Sequence, residues 1–369
     1  MGKKIGFLGE INETPLLRIG YVGCGSHSRR NILTTLGYVP VEKVAICDFD
    51  GDKAEVFAKE FAFKSHYNSH IEMLENEKLD AVFIVTNYNS KCRPVFCDIA
   101  IDCLNADCHV WMEKPPAAEV EDLQRVKALA LEKNKQVMVG FKKMFFPANE
   151  KAKELAGDNI QMALLQYPQY VPTQREFDEY MQFKPNWPVT GFLDHICHPV
   201  SLMVYLMGAP TSLYFTRSLM GGGNASFTFA NGAIASIALT HGTATNGGME
   251  RTMLIGSSGQ HVVVDNNVKV ALHRSPNNLH YGCSPSFYLG GPEDVTALWE
   301  PEFSLGQLYN NSLFLMGYYG EVAEFCKAIL EKRDVSKADL DDAIVITKVF
   351  RAFAKGEGKV ITIEKGGAK

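Results

Sequence analysis

The chain lacks a hydrophobic run of membrane-spanning length, a basic stripe and any C-x-x-C cysteine pair. No apolar run approaches the roughly 18 residues that a membrane-spanning helix needs. The 37 lysines and arginines are outnumbered by 42 aspartates and glutamates, which gives a formal net charge of -5. Nucleic-acid and membrane surfaces attract proteins with concentrated positive charge. We therefore expect neither a nucleic acid nor a membrane as a partner.

The nine cysteines are scattered along the chain, and their odd number favours a reducing compartment over a disulfide framework. Four of them, Cys92, Cys97, Cys103 and Cys108, stand five, six and five residues apart. These spacings fit neither a short metal-binding clip nor one face of a helix, so we expect buried small side chains and no metal.

The first residues do not form a signal-peptide core, because Glu10, Asn12 and Glu13 interrupt any apolar segment. We predict a cytoplasmic protein in which residues 1–16 form an irregular extension. The 369 residues are enough for two further domains.

Apolar strands alternate with helical segments through the first 140 residues. We predict strands at residues 17–22, 44–47, 81–85, 109–112 and 136–140, and helices at residues 53–60, 93–104 and 119–134. Such alternation is typical of a parallel, doubly wound sheet. We therefore predict a Rossmann domain over residues 17–140.

A glycine-rich turn follows the first strand, with the sequence Gly23-Cys24-Gly25-Ser26-His27-Ser28 before a helical stretch that reaches Leu36. Gly23 permits the tight turn, and Gly25 lets the backbone approach a pyrophosphate at the helix N-terminus. Ser28 occupies the third glycine position, so the dinucleotide-binding fingerprint is imperfect.

Asp48, at the end of the second strand, predicts which dinucleotide is bound. A carboxylate at about this distance from the glycines accepts hydrogen bonds from the ribose hydroxyls and repels a 2′-phosphate. Phe49 follows, so no arginine adjoins Asp48 to bind that phosphate. NAD is therefore favoured over NADP, and Asp50 is a weaker candidate for the same role.

The pattern changes after Gly140. Asn231-Gly232 lies between alternating segments at residues 225–229 and 233–240, which is the strongest short signal for a hairpin. Further strands are predicted at residues 162–167 and, around Ser258-Gly259, at residues 251–255 and 261–264. Prolines and aromatic rings predict a loop or lid between residues 168 and 187, and helices are predicted at residues 317–332 and 337–354. We predict a C-terminal α+β domain over residues 141–369, with an open, mostly antiparallel sheet.

Lys114 is the most informative residue, because it follows the predicted strand at residues 109–112. It therefore lies at the carboxyl end of a strand, where open α/β sheets bind ligands. An enzyme that transfers hydride from an alcohol needs a group there to hold the oxygen while its proton leaves. The alternative is a solvated surface lysine.

Asp194 and His198 stand four residues apart in a predicted apolar helix and therefore share one face. A carboxylate beside an imidazole orients the ring and raises its basicity, which makes His198 a candidate general base and Asp194 its assistant. Three alternatives remain. Asp194 could cap a helix, His198 could be a core histidine, or His195, Cys197 and His198 could bind zinc.

Other residues of the second half are candidates for substrate contact. Tyr167, Tyr170 and Trp187 could stack on a sugar face, although ordinary packing also explains such rings. Lys143 and His195 could contact hydroxyl groups, and a solvated lysine is the alternative for Lys143.

Three ordered motifs resemble those of the Gfo/Idh/MocA oxidoreductase family, the group of glucose–fructose oxidoreductase and inositol dehydrogenase. Glu113-Lys114-Pro115 corresponds to the family's E-K-P motif, and Asp194 with His198 corresponds to its D-x-x-x-H motif. A third pattern is met by Glu321, Phe325, Ala328-Ile329 and Asp342-Ala343. The resemblance implies a Rossmann domain, a second domain whose open sheet serves oligomerisation, and NAD(P)-dependent oxidation of a secondary alcohol. It also implies that Lys114 and His198 are the catalytic pair, assisted by Asp194.

The chain departs from the family at the substrate pocket. Thr86-Asn87 stands in place of the usual T-P, and Lys91 replaces a histidine. The usual arginine-phenylalanine pair becomes Met144-Phe145, with Lys142 and Lys143 just before it. The residues predicted to contact the cofactor are Gly23, Gly25, Ser26, His27, Ser28, Asp48, Thr86, Asn87, Glu113 and Lys114.

The sequence thus predicts an NAD-dependent dehydrogenase, active as a homo-oligomer, that oxidises a secondary hydroxyl of a sugar, glycoside or cyclitol. A glycoside oxidised at C3 of its sugar ring would suit the aromatic segment. Two alternatives are an enzyme that retains NAD and cleaves glycosides through transient oxidation, and an inert regulator that senses NAD or a sugar.

Overall fold

The computed structural model describes residues 2–5, 11–256, 259–274, 295–302 and 311–364, and only the backbone of residues 2–5 and 11–14. The strands are β1 (Gly2–Ile5), β2 (Ile11–Thr14), β3 (Leu17–Val22), β4 (Val41–Cys47), β5 (Ser65–Tyr67), β6 (Ala81–Ile84), β7 (His109–Met112), β8 (Val137–Val139), β9 (Met162–Tyr167), β10 (Pro210–Arg217), β11 (Gly223–Phe229), β12 (Ile234–Leu239), β13 (Arg251–Ile255), β14 (Gln260–Asp265), β15 (Lys269–Arg274), β16 (Ala297–Trp299) and β17 (Ile361–Thr362). The α-helices are α1 (Leu33–Thr35), α2 (Gly51–Phe61), α3 (His70–Asn76), α4 (Phe96–Asn105), α5 (Val120–Lys133), α6 (Pro147–Ala156), α7 (Gln174–Met181), α8 (Trp187–Met207), α9 (Ser312–Leu315), α10 (Tyr318–Glu331) and α11 (Leu340–Phe353). A π-helical turn at Ser28–Ile32 and 3-10 turns at Leu36–Tyr38 and Lys142–Phe145 complete the helical segments.

Strands β3 to β8 form a six-stranded parallel sheet in the order β5-β4-β3-β6-β7-β8. Every residue of β6 is buried, as expected of a strand covered on both faces by helices. The strand order reverses between β3 and β6, and this reversal is where doubly wound sheets bind ligands. The prediction of a Rossmann sheet is confirmed.

A second, nine-stranded sheet has the order β16-β15-β14-β13-β9-β12-β11-β10-β17. Its strands pair antiparallel except for β9 and β12, which run parallel. The predicted hairpin is present as β11 and β12, and Gly232 adopts the positive φ of 85° that its turn requires. Strands β13 and β14 also pair as predicted, whereas Ser258 of the predicted connection lies outside the described residues.

Two predictions of irregular structure are wrong. In the N-terminal extension, β1 and β2 pair as antiparallel strands. The segment predicted as a loop or lid contains α7, which begins with a capping box between Thr173 and Glu176. Such reciprocal hydrogen bonds satisfy two backbone donors at the helix start, and the prolines of this segment lie outside α7, so they do not interrupt it.

Helix α11 joins the two halves of the molecule, because it packs on both α5 and α8. Arg93, on the loop before α4, donates a 2.8 Å hydrogen bond to Glu119 before α5, and Arg351 of α11 donates to the same carboxylate. The four clustered cysteines are all buried. Within the described ranges, no helix is both long and apolar enough to cross a membrane.

Candidate functional site

The turn after β3 has the geometry that a dinucleotide needs. Gly23 has a φ of 107°, and a Cβ there would stand 2.0 Å from the carbonyl oxygen of Val85, so only glycine fits. A Cβ at Gly25 would meet no atom within 4 Å, which leaves open space beside the backbone. A phosphate could therefore approach the backbone amides that begin the helical segment.

A cleft of about 760 Å³ opens at this turn, along the reversal of strand order. It is lined by nine of the ten residues predicted to contact the cofactor: Gly23, Gly25, Ser26, His27, Asp48, Thr86, Asn87, Glu113 and Lys114. Ser28 is the exception, because it is fully buried and donates a 2.8 Å hydrogen bond to the carbonyl of Gly23. Its place beneath the turn corrects the prediction of cofactor contact.

Asp48 is held in a fixed orientation at the rim of the cleft. Its Oδ2 accepts a 2.6 Å hydrogen bond from the amide of Cys24, and its Oδ1 accepts one from the amide of Asp50 at 3.0 Å. Each oxygen keeps a lone pair for a further donor, such as a ribose hydroxyl. The neighbouring Asp50 instead caps α2.

Glu113 lies on the cleft floor and is almost completely buried. Its Oε1 is 2.8 Å from Nε2 of His27, and its Oε2 accepts the amide hydrogen of Lys114 at 2.9 Å. Burial opposes its charge, yet His27 and Lys114 outweigh burial and lower the pKa of this carboxyl. Glu113 is therefore a fixed negative charge beside Lys114.

One carboxylate oxygen of Asp194, in the second half of the chain, accepts hydrogen bonds from two side chains of the first half. Lys114 Nζ and Tyr88 Oη each donate a 2.8 Å hydrogen bond to Oδ1 of Asp194. Burial acts to neutralise Lys114, but the carboxylates of Asp194 and Glu113 outweigh it and raise the pKa of the ammonium. Asp194 lies inside α8, which Asn186 caps, so the alternative of a helix cap at Asp194 is excluded.

His198 lies one turn after Asp194 on α8, with its ring centroid 6.0 Å from that of Tyr167. Burial, followed by the charges of Lys114, Lys142 and Lys143, lowers its pKa well below the usual value. The prediction that Asp194 raises its basicity is wrong, because Asp194 is engaged by Lys114 and Tyr88. His198 is therefore a neutral imidazole at neutral pH.

Three residues predicted to contact substrate lie around Asp194 and His198, namely His195, Tyr167 and Lys143. His195 Nε2 is 3.6 Å from Oδ2 of Asp194, and its Nδ1 is 3.5 Å from the hydroxyl of Tyr167. Lys143 is buried in an ion pair with Glu250 and lies over the ring of Tyr167, so it is not a solvated lysine. The thiol of Cys197 donates a hydrogen bond to the carbonyl of Leu193, and the described residues contain no group of three His, Cys, Asp or Glu side chains that could hold a metal ion, which disfavours the zinc alternative.

The two remaining aromatic candidates lie in different places. Tyr170 donates a hydrogen bond to Glu176, packs edge-on against His241 and is not among the residues that line the cleft. It contributes to packing between α7 and the second sheet, and its contact with substrate stays a prediction. Trp187 is 62% exposed and packs edge-on against Tyr88, with centroids 6.2 Å apart.

Sequence reasoning missed a second group of polar residues near Lys114. Lys142 donates a 2.8 Å hydrogen bond to the hydroxyl of Tyr318, and burial followed by the charge of Lys143 lowers its pKa to about 8. Glu321 is completely buried, and neither of its oxygens has a hydrogen-bond partner among the described residues. Burial and the charge of Glu113 raise its pKa well above the usual value. The motif position of Glu321 and the place of Lys142 just before Met144-Phe145 were the sequence signals for this group.

Replacing Glu321 with glutamine should reduce the loss of stability with rising pH. The unfolded carboxyl ionises near pH 4.3, whereas the folded protein retains the proton to higher pH, so the wild type loses stability as pH rises above 4.3. We expect the free energy of unfolding of E321Q, relative to wild type, to be more favourable at pH 8 than at pH 5 by about 1 kcal/mol or more. Denaturant titrations at both pH values measure this difference.

Glu324, on the same helix, provides the matched control. In the folded protein, the ion pair with Arg333 lowers the pKa of Glu324 to about 2. Both test pH values lie above this pKa and above the pKa of about 4.3 of the unfolded carboxyl. E324Q should therefore change the free energy of unfolding by the same amount at pH 5 and pH 8. An equally constant difference for E321Q would contradict a protonated buried carboxyl.

Together, the fold and the cleft define a dinucleotide-binding protein with a charged site between its two domains. Residues 17–141 match the Gfo/Idh/MocA family model, described as an oxidoreductase family with an NAD-binding Rossmann fold. This segment is therefore similar to the NAD-binding domain of that family, in agreement with the resemblance of the sequence motifs.

A curated relative matches part of the chain in sequence, and solved structures match its fold. The inositol 2-dehydrogenase of Salmonella typhimurium is 30% identical over 135 residues, which are 35% of this chain and 38% of that protein. The chain thus matches less than half the length of this relative. A dehydrogenase from Chromobacterium violaceum has a TM-score of 0.74 at 21% identity, covering 93% of this chain and 96% of its own. A levoglucosan dehydrogenase in complex with NADH and L-sorbose has a TM-score of 0.72 at 17% identity, covering 95% and 99%. The whole fold is shared with these two structures.

Proposed function

We propose that the protein is an NAD-dependent oxidoreductase that oxidises a secondary hydroxyl of a sugar, glycoside or cyclitol to a ketone. The observation that carries the proposal is the shared hydrogen bonding of Lys114 and Tyr88 to Asp194 at the edge of the dinucleotide cleft, one helical turn from His198. An ammonium, a carboxylate and a neutral imidazole converge there, and this set can bind and deprotonate an alcohol. The names of the inositol and levoglucosan dehydrogenases support the substrate class.

The cleft fits NAD. Gly25 leaves room for the pyrophosphate, Asp48 offers free lone pairs to the ribose, and the buried hydroxyl of Thr86 has no partner among the described residues. When bound, NAD⁺ supplies the hydride acceptor. Glu113 and His27 would orient the reactive end, because both line the cleft next to Lys114.

The protein groups divide the work of moving the hydroxyl proton. His198, neutral because of its lowered pKa, accepts the proton at a ring nitrogen. Lys114 stays charged and stabilises the negative charge that develops on the substrate oxygen. Asp194 holds Lys114 in place, and Tyr88 fixes the carboxylate. In the reverse direction His198 returns the proton.

The test is turnover of purified protein with NAD⁺ and a panel of inositols, aldoses and glycosides, read as NADH absorbance and as ketone by mass spectrometry. The proposal expects both products in equal amounts, and a higher kcat/KM with NAD⁺ than with NADP⁺ because of Asp48. Aglycone release without NADH would instead indicate glycoside cleavage with retained NAD. A tight NAD complex that is inert towards the whole panel would indicate a regulator.

We also propose that the outer face of the second sheet forms a subunit interface. Leu164 on β9 is 36% exposed and stands beside Met253 on β13, and Ile234 on β12 is 46% exposed. An open sheet face with apolar side chains commonly packs against a second copy.

Leu164→Asp should shift the protein from oligomer to monomer in sedimentation velocity. Leu131→Asp, at a leucine that is 72% exposed on α5, should leave the assembly unchanged. Identical sedimentation of wild type and L164D would contradict this interface.

The cytoplasmic location of the protein stays a prediction.

A further inference from the structure

An exposed aromatic surface lies beside the candidate site. Trp187, the first residue of α8, is 62% exposed, and Phe183, just before the helix, is 55% exposed. We call these two rings the aromatic shelf. Most large aromatic side chains here are buried, among them Trp111, Phe177, Tyr180 and Phe192. Large rings held in solvent next to a cleft are candidates for ligand contact.

Of the two rings, Trp187 contacts the groups that would bind the reacting hydroxyl. The ring of Trp187 meets the ring of Tyr88 edge-on at 6.2 Å, and Tyr88 donates its hydroxyl hydrogen to Asp194. One phenol ring therefore separates Trp187 from the oxygen that Lys114 also contacts. Phenol and pyranose rings have similar widths. A sugar ring that lies along Tyr88 would therefore place the group attached to it next to Trp187.

Contacts made by Arg93 and Thr190 hold the residues around the shelf in place. Arg93 lies between two rings, 4.3 Å from the centroid of Tyr180 and 4.2 Å from that of Phe183. Thr190 of α8 donates a 2.7 Å hydrogen bond to the carbonyl of Cys92, which ties the start of the helix to the loop that carries Tyr88. Rings held in place before binding lose little conformational entropy when a ligand arrives.

We infer that Trp187 and Tyr88 form a subsite for the group attached to the oxidised sugar ring, so that the substrate is a glycoside with a flat, apolar aglycone. This inference rests on the proposed function and narrows its substrate class. A free aldose or a cyclitol would satisfy Lys114, Asp194 and His198 but would leave the shelf in contact with water. An aryl aglycone would cover the indole face and remove both apolar surfaces from water.

The test compares an aryl glucoside, methyl glucoside and glucose as substrates of the full-length protein with NAD⁺. Trp187→Ala should raise KM for the aryl glucoside about tenfold, change KM for the other two less than about twofold, and leave kcat similar. Trp187→Phe should restore most of the aryl preference, because it retains an aromatic face. Leu219→Ala, at a leucine that is 98% exposed and is not part of the shelf, should leave all three substrates unchanged.

Each other outcome has a distinct meaning. Equal effects of W187A on all three substrates, or no effect on any, would overturn the subsite while leaving the proposed oxidation in place. A change in sedimentation of W187A, with kinetics unaltered, would reassign the shelf to a subunit contact and overturn the subsite. If the wild type reduces NAD⁺ with none of the wider substrate panel, the proposed function itself fails.

Discussion

Replacing Lys114 with methionine should lower kcat by roughly 10³-fold or more. Methionine has nearly the length of lysine but no charge, so the variant removes the group that we propose stabilises the developing alkoxide while it retains the volume. The ammonium is held charged by Asp194 and Glu113, and no other described ammonium donates to Asp194. The kcat for the best substrate of the panel and the dissociation constant for NAD⁺, by calorimetry, together measure the effect.

The dissociation constant separates catalysis from cofactor binding. We expect K114M to bind NAD⁺ within about threefold of wild type, because the turn at Gly23 and Gly25 and the carboxylate of Asp48 are unchanged. Lys59→Met, at an exposed lysine on α2 that pairs with Glu55, controls for the loss of one positive charge. Retention of most turnover by K114M with normal NAD⁺ affinity would refute the mechanism.

Replacing His198 with asparagine should lower kcat/KM by roughly 10²–10⁴-fold, the usual contribution of a positioned general base. The pH profile identifies the role. Because the pKa of His198 is lowered, the base stays neutral below the usual histidine pKa of about 6.5, and the acid limb of the wild-type profile should lie below that value. H198N should lose this limb. If H198N kept both the limb and the rate, His198 would be a packing residue.

Lys142 provides a second check on the same limb. Its positive charge disfavours protonation of His198, so Lys142→Met should raise the pKa of the imidazole and move the acid limb to higher pH. Lys142→Arg retains the charge and should leave the limb near its wild-type position. A limb that does not respond to K142M would show that a group other than His198 controls it.

The sequence predicted the elements whose signals are local. The strands β3, β6 and β7 are mostly apolar, and the β11–β12 turn is marked by Asn-Gly, so both sheets could be anticipated. Strand β5 and helix α3 were missed, because β5 has only three residues, none of them buried, and α3 has only seven residues. Helix α7 was missed because the surrounding prolines were given more weight than the Thr173 and Glu176 capping pair.

The candidate site was predictable as a set of residues but not as a network. The spacing of Asp194 and His198 placed both on one helix face, and the position of Lys114 at a strand end placed it at the cleft. Periodicity within one helix cannot reveal a partner that comes from another domain. The pairing of Asp194 with Lys114 and Tyr88, which frees His198 from the carboxylate, depends on how α8 packs against the first sheet.

Strand β9 contributes side chains both to the candidate site and to the outer face of the molecule. Its inward residues include Tyr167, which adjoins His198, while its outward residues include Leu164. Because side chains alternate along a strand, a slip of one residue against β12 would exchange these two sets. Met162 is aligned with Ile234, and Tyr167 with Leu239. This register therefore determines both which side chains lie beside the imidazole of His198 and which form the exposed apolar face. Selection for assembly and selection for chemistry would act on the same six residues.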